Sequence, residues 1–378
     1  MIDFNDSPEE AEFRLRLQEW LRENMPDDPF PEDDDDRARA IAEWTEKLHA
    51  GGWSGLSLPA EYGGQGLSPV FDGILSEEIA AAGAPPISDS VYLSHVILAF
   101  GDELQRATWI PKMLSGEEPW CQGFSEPEAG SDLAGLRTRA TRDGDDWVIS
   151  GQKTWTTHAQ WSRWCLLLAR TDADAPRHRG ISAFAVPMDS PGVSVSPIRQ
   201  STGHEEFAET FFDEVRVPDA LMIGDPGQGW ALAMRTVTLE RGPADTGYAA
   251  KHLKMLRSLE EIVTADPARI GDQTVRSSLA RSFVDLEILR LRVQDSLASR
   301  AAGKEPGPES STDKLTMIKA EQELAHLALA IVGKEVVLPR DPHWLEDALY
   351  SRAVSVYGGT EQIQKEILAT RVLGLPRN

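Results

Sequence analysis

Cysteine is nearly absent: Cys121 and Cys165 are the two in 378 residues. Two thiols make neither a disulfide framework nor a four-cysteine zinc site, and no CxxC or HExxH spacing occurs, so two buried thiols and no metal are expected. Long apolar runs are missing too. None approaches the roughly 18 residues of a membrane span, and the N-terminus is acidic where a signal peptide would be basic and then apolar, so the chain reads as cytoplasmic. Positive charge is scarce, with 38 Lys and Arg against 61 Asp and Glu. The net charge of −23 opposes nucleic acid and anionic membrane surfaces as partners. Any anionic ligand must be held by local donors.

What is present falls into three regions, in a chain long enough for two or three domains. Residues 1–117 read as helical: SPEEAEFRLRLQEWLREN opens with a Ser7-x-x-Glu10 capping box and continues with Phe13, Leu15, Leu17, Trp20 and Leu21 near one face. PDDPFPEDDDD then breaks the helix and reads as a solvated acidic linker. Over residues 118–225, short apolar or alternating runs such as DWVISG, WCLLLAR, ISAFAVPM and ETFFDEVRVP, separated by turn sequences, predict an antiparallel β domain of the sandwich or barrel class. Over residues 226–378 the helical period returns, with Val275, Leu279, Phe283, Leu286, Leu289, Val293 and Leu297 three or four residues apart. This fits a helical bundle. A helix, β, helix arrangement of this kind is expected to leave a cofactor crevice where the β domain meets the bundle.

Two segments of the β region carry chemistry. WCQGFSEPEAGSD places Phe124 and Ser125 at a strand end, followed by a turn with Gly130 and Ser131. Its backbone N–H groups and hydroxyls suit a flavin edge or a phosphate, and equally an ordinary turn. GQKTWTTHA sets an aromatic plate, Trp155, beside the hydroxyls of Thr156 and Thr157.

In order and spacing, GGWSGLSLPAEYGGQGL, SEPEAGSDLAGL, GQKTWTTHA, FDEVRVPDALMIG and GGTEQIQ resemble the acyl-CoA dehydrogenase family along nearly the whole chain. The resemblance implies an α+β fold with an N-terminal α-helical domain, a central antiparallel β domain and a C-terminal four-helix bundle. It also implies non-covalent FAD. It assigns Phe124, Ser125, Gly130, Ser131, Trp155, Thr156 and Thr157 to the flavin and its surroundings, Gln273 to the adenine, and Gly359, Thr360 and Gln362 to a turn that touches the cofactor. The implied reaction takes a proton from the carbon alpha to an acyl-CoA thioester and passes a hydride from the beta carbon to the flavin, with an electron-transfer flavoprotein as the next acceptor. A carboxylate base is needed, because the alpha proton is only mildly acidic.

The turn YGGT lacks that base. Many members of the family carry it at the position of Gly358, which has no side chain to ionise. Others carry it on an earlier bundle helix before an arginine, and TLERGPAD offers Glu240 followed by Arg241 there. Glu240 is thus the expected base, Arg241 a group that steadies a carboxylate or the CoA, and Asp245 the competing acid. The small residues beside it, Gly242, Pro243, Ala244 and Gly247, leave room for a bulky acyl chain or serve close helix packing.

Two elements that the family lends across a subunit boundary depart from its pattern. Ile262 stands at the arginine that reaches a neighbour's FAD pyrophosphate, with Ala265 and Asp266 at the following Phe-Gly, and Lys334 replaces the second glycine of another lent turn. The departures resemble the two-gene heteromeric acyl-CoA dehydrogenases of bacterial steroid side-chain degradation. They imply a heterotetramer in which a second subunit of the same fold supplies the arginine; Arg269, in the same loop, is the alternative donor. Competing readings are a flavin-dependent acyl-CoA oxidase and a non-catalytic scaffold subunit, the latter disfavoured by Glu240.

Overall fold

The fold was analysed in a computed structural model that describes residues 5–239, 243–333 and 343–376. Helix α1 (Pro8–Asn24) starts at the expected capping box: Ser7 Oγ accepts from Glu10 N, and the Glu10 carboxylate accepts from Ser7 N at 2.7 Å. Its inward face is Phe13, Leu17 and Leu21 at four-residue spacing. Leu15 lies off that stripe and is 66% exposed, so it does not join the face expected of it.

The acidic run after α1 is also not wholly a solvated linker. Asp33 caps α2 (Asp34–Ala50), accepting from the N–H groups of Asp35 and Asp36, and three aspartates form the first turn, where carboxylates meet the positive end of the helix dipole. Asp34 pairs with His204 Nδ1 and accepts from Glu205 N, each at 2.8 Å, and Asp35 accepts from Trp161 Nε1 at 2.8 Å. Helices α3 (Pro69–Ala82), α4 (Asp89–Phe100) and α5 (Glu103–Ser115) follow, capped by Ser68, Ser88 and Asp102.

The described strands form one eight-stranded sheet. They are β1 (Trp120–Gly123), β2 (Arg139–Asp143), β3 (Asp146–Thr157), β4 (Trp164–Arg170), β5 (Ile181–Pro187), β6 (Val193–Ile198), β7 (Phe207–Pro218) and β8 (Met222–Ile223), in the spatial order β6-β7-β3-β2-β4-β5-β8 with β1 against β4. Pairing is antiparallel as expected, except that β1 runs parallel to β4 and β2 touches β4 in parallel at one register position. β1 arrives from α5, and β2 and β3 intervene in the chain before β4, so no hairpin joins β1 to β4 and none imposes the antiparallel direction. Cys121 and Cys165 are register partners across β1 and β4. Both are free and buried.

The remaining helices are α6 (Gly229–Leu239), α7 (Pro243–Thr264), α8 (Pro267–Gly271), α9 (Gln273–Ala301), α10 (Ser311–Val332), α11 (His343–Tyr350) and α12 (Glu361–Ile367). The chain divides into two compact units. A sheet unit, Pro26–Leu67 with Pro85–Glu240, has its core in Trp109, Leu166, Leu168, Ile181 and Leu232 on one side of the sheet and Ile149, Cys165, Phe184 and Val215 on the other. A helical unit, Met1–Met25 with Ser68–Ala84 and Arg241–Asn378, has a core of Leu256, Leu259, Leu286, Leu289, Val293, Met317 and Leu324. Phe283 keeps the helical period of α9 but is 49% exposed. No helix among the described residues is long and apolar enough to cross a membrane.

Candidate functional site

In the sheet unit, two segments separated in sequence are tied together. β1 ends at Gly123, where a Cβ would stand 2.7 Å from Cys165 Sγ, so a side chain would force the strand away from β4. The chain then turns. Glu126 and Ala129 exchange main-chain hydrogen bonds of 3.1 and 3.0 Å, closing a loop beyond which Gly130 and Ser131 are exposed; a Cβ on Gly130 would meet nothing within 4 Å. Phe124 is buried and Ser125 half-buried. Thr154 N donates to Ser125 O at 2.9 Å, which fastens this turn to the end of β3.

The end of β3 is irregular. Its register with β7 slips between Lys153 and Thr156, and within the slip Trp155 adopts φ +58°, with its indole 59% exposed and edge-on to Phe207 at 6.1 Å. A bulky side chain in the left-handed region is strained, and such strain gathers at functional positions. Thr156 is fully buried and its hydroxyl has no hydrogen-bond partner among the described residues, while Thr157 is half-buried. A flat aromatic held outward, beside hydroxyls and an open glycine turn, fits a planar heteroaromatic cofactor.

Beneath both segments lies a pair that the sequence reading did not single out. Lys153 is 0% exposed, and its Nζ donates to Phe124 O at 3.1 Å and to Glu126 Oε1 at 2.8 Å. Glu126 also accepts from Arg137 N at 2.6 Å and Thr138 N at 2.9 Å. Burial pushes the Glu126 carboxyl upward, but Lys153 and the two amides outweigh it and hold it below its ordinary value; burial draws the Lys153 ammonium down against the opposing pull of Glu126. Alternation along DWVISGQKTW was the available signal, since it puts Trp147, Ile149, Gly151 and Lys153 on one face.

The expected base Glu240, its neighbour Arg241, and Gly242 and Lys334 lie outside the described residues. In the helical unit, Asp245 is buried in the first turn of α7. Gly247 serves packing: a Cβ there would stand 2.7 Å from Ser76 O on α3. Gly358 and Gly359 take φ +61° and +89°, and the buried Gln364 donates from Nε2 to both their carbonyls at 3.2 Å. Thr360 caps α12, accepting from Ile363 N, and Gln362 is exposed on its first turn. A Cβ at Gly358 would lie 3.9 Å from Nζ of the buried Lys314, which sits 4.0 Å over the Tyr357 ring.

The expected cation position, Ile262, lies in the last turns of α7 rather than in a loop and carries an apolar side chain. Ile262 packs half-buried against the bundle core. Asp266 caps α8, accepting from Ala268 N at 2.9 Å, and forms an ion pair with Arg269 at 3.2 Å. Gln273, the first residue of α9, is exposed. Deeper in the same unit, His252 and Glu321 are buried 4.0 Å apart. His252 Nδ1 is bonded to Tyr248 O at 2.8 Å, and Glu321 Oε2 has no partner among the described residues. Burial lowers the His252 pKa to about 3; burial, with Asp347 adding and Arg352 opposing, raises that of Glu321 to about 8.

Comparison with known proteins places these features in context. Three family descriptions match in order: acyl-CoA dehydrogenase, N-terminal domain, over residues 7–117; middle domain, over 121–215; and C-terminal domain, over 227–373. The chain is 37% identical to acyl-CoA dehydrogenase IpdE1 of Mycobacterium tuberculosis over 97% of its own length and 98% of that protein's. Among solved structures it is similar to the ChsE4-ChsE5 complex from Mycobacterium tuberculosis and to the Tcur3481-Tcur3483 steroid ACAD. In each case the TM-score is 0.87, the identity 29%, and all of both chains is covered.

Proposed function

Because the chain belongs to the acyl-CoA dehydrogenase family, we propose that it is the base-bearing subunit of a two-component enzyme that introduces a trans double bond between the alpha and beta carbons of an acyl-CoA. It is an oxidoreductase of acyl-CoA, and the family's cofactor is FAD. When bound, FAD supplies the acceptor for the hydride that leaves the beta carbon.

In this reading, Glu240 takes the alpha proton and Arg241 steadies the charge beside it. Gly358 leaves the other base position empty, since no side chain there can accept a proton. In the sheet unit, Trp155 offers its face to the ring, and Thr157 and Ser125 supply polar contacts at its edge, with Phe124, Gly130 and Ser131 alongside; Thr156, fully buried, touches the ring only if the end of β3 opens. In the helical unit, Gly359, Thr360 and Gln362 form the turn assigned to the cofactor, and Gln273 is the adenine contact. The observation that carries the proposal is Trp155, whose strained backbone holds an indole that meets Phe207 only at an edge and is otherwise exposed.

The similarity to a steroid ACAD favours a bulky, steroid-derived acyl group over a short linear one. The similarity to two-component complexes supports a second subunit, and the proposed assembly is a heterotetramer with two copies of each. Ile262 and the self-contained Asp266–Arg269 pair support the same assembly, because neither leaves a cation for a neighbour's pyrophosphate. An electron-transfer flavoprotein then takes the electrons, in the cytoplasm.

Glu240→Gln tests the base. With substrate added to the holoenzyme, reduction of the flavin should slow by about 10²–10⁴ while FAD content stays that of the parent. Reduction at the parent rate would move the base elsewhere, with Asp245 next.

A further inference from the structure

A fully buried lysine is costly unless its charge is met, and the interior of a sheet has cheaper residues of similar length, methionine among them. At Lys153 the charge is met by two acceptors that are not neighbours of the lysine in sequence, Phe124 O and Glu126 Oε1. Glu126 in turn draws in the amides of Arg137 and Thr138 at the entry to β2. The bonds flank Ser125 on both sides in the turn after β1, and Lys153 itself lies two residues before Trp155, where the register of β3 slips. A hydrogen bond from Thr154 N to Ser125 O closes the same connection from above. Gly123 leaves room for the methylene stem, since a Cβ there would stand 3.4 Å from Lys153 Cγ.

We propose that Lys153 and Glu126 are positioning residues for the flavin ring. Their buried ion pair fixes the Ser125 turn against the Trp155 bulge, so that the polar edge and the aromatic face offered to the ring keep one spacing. This rests on the reading of Trp155 and Ser125 as flavin contacts. Neither charged group touches the ring; each acts through the backbone of its neighbours. The ion pair is suited to the task because its bonds run in fixed directions between segments, where an apolar pair would let the turn slide.

The test compares the holoenzyme with Lys153→Met/Glu126→Gln, a double variant that removes both charges while leaving one amide oxygen, which can replace the acceptor of Arg137 N or of Thr138 N but not both. Far-UV circular dichroism and the melting of the FAD-free protein should stay near those of the parent. FAD should bind about ten- to a hundredfold more weakly, and the visible absorption bands of the remaining bound flavin should shift, a signature that loss of stability alone would not produce. Parent affinity with parent bands would overturn the proposal. Should the double variant fail to fold, Lys153→Met alone is the second probe, because Glu126 then keeps the amides of Arg137 and Thr138: shifted bands with a few-fold weaker affinity support the pair's role, and unchanged bands and affinity reject it. Trp155→Ala, measured alongside, separates the two levels. If it leaves FAD binding untouched, the platform reading fails and takes this proposal with it; if it weakens FAD while the charge variants do not, only the proposal fails.

Discussion

In the sheet unit the ammonium of Lys153, fully buried, is matched bond for bond, held by Phe124 O and Glu126, with Glu126 held by two further amides; in the helical unit, Asp313 is matched by Arg292 and Ser296, but the charges nearest the expected site are missing, turned inward or poorly matched. Gly358 has no side chain, Ile262 is packed as a hydrophobe, Asp266 and Arg269 neutralise each other, and His252 faces Glu321 across 4.0 Å with one carboxylate oxygen unpartnered among the described residues. The difference is one of purpose. A buried pair with short, directed bonds fixes the segments around it, while a loose one leaves a protonation equilibrium inside the fold. Under the proposed function, the sheet unit thus carries a complete platform for the flavin ring, and the helical unit depends on another chain for the cation at the pyrophosphate.

The comparison can be broken most severely at the platform. Trp155→Ala should weaken FAD binding by about tenfold or more, since it removes a large aromatic contact on one face of the ring. Equilibrium titration of the FAD-free protein with FAD measures this. Its fold should hold, because the indole is mostly exposed and contributes little to the sheet unit's core.

A smaller effect is expected from the loose pair of the helical unit, and it appears as a dependence on pH. Folded Glu321 keeps a proton up to about pH 8 that the unfolded chain releases near 4.5, so stability falls as pH rises through that interval. Folded His252 binds no proton until about pH 3, whereas the unfolded imidazole takes one near 6.5, so its contribution is lost as pH falls through that window. The slopes oppose each other between 4.5 and 6.5. A plateau should result, with an alkaline limb from Glu321 and an acid limb from His252, each limited to about 1.4 kcal/mol per pH unit. Urea unfolding from about pH 3 to about pH 9 should show the alkaline limb vanish in Glu321→Gln and the acid limb flatten in His252→Phe. If both variants keep the parent's profile, the pair is not the source of either limb.

Thr157→Val is the mildest probe. Loss of one hydrogen bond to the flavin should cost about 0.5–1.5 kcal/mol of FAD affinity, well short of the loss at Trp155. An effect equal to that of Trp155→Ala would mean that the edge, not the face, carries the binding.

The contrast between the units also marks what was legible in the sequence. The capping box at Ser7 and Glu10, the short strands with their turns and the helical period after Gly229 are local patterns, and local patterns survive into the fold. Leu15 misled because apolar character alone does not place a residue on the buried stripe. The aspartates after Asp33 misled because an acidic cluster reads equally as linker or as a helix start, and partners such as His204 lie far along the chain. At the candidate site, Ser125, Trp155 and Thr157 belong to motifs, and the structure ties the segments carrying Ser125 and Trp155 together. Lys153 and Glu126 escaped notice because lysine and glutamate are ordinarily exposed, and their pairing spans 27 residues. The left-handed backbone of Trp155 is equally hidden, being a product of the register slip between β3 and β7.

The division of labour between chains is tested most directly by counting flavins. The chain should be purified alone and together with a second subunit of the same fold that carries the arginine absent at Ile262, with FAD and protein quantified in each preparation. The account predicts little FAD and little turnover for the chain alone, and for the complex two copies of each subunit with one FAD per pair. A tetramer of this chain alone, with a full flavin on every subunit and turnover equal to that of the complex, would contradict it.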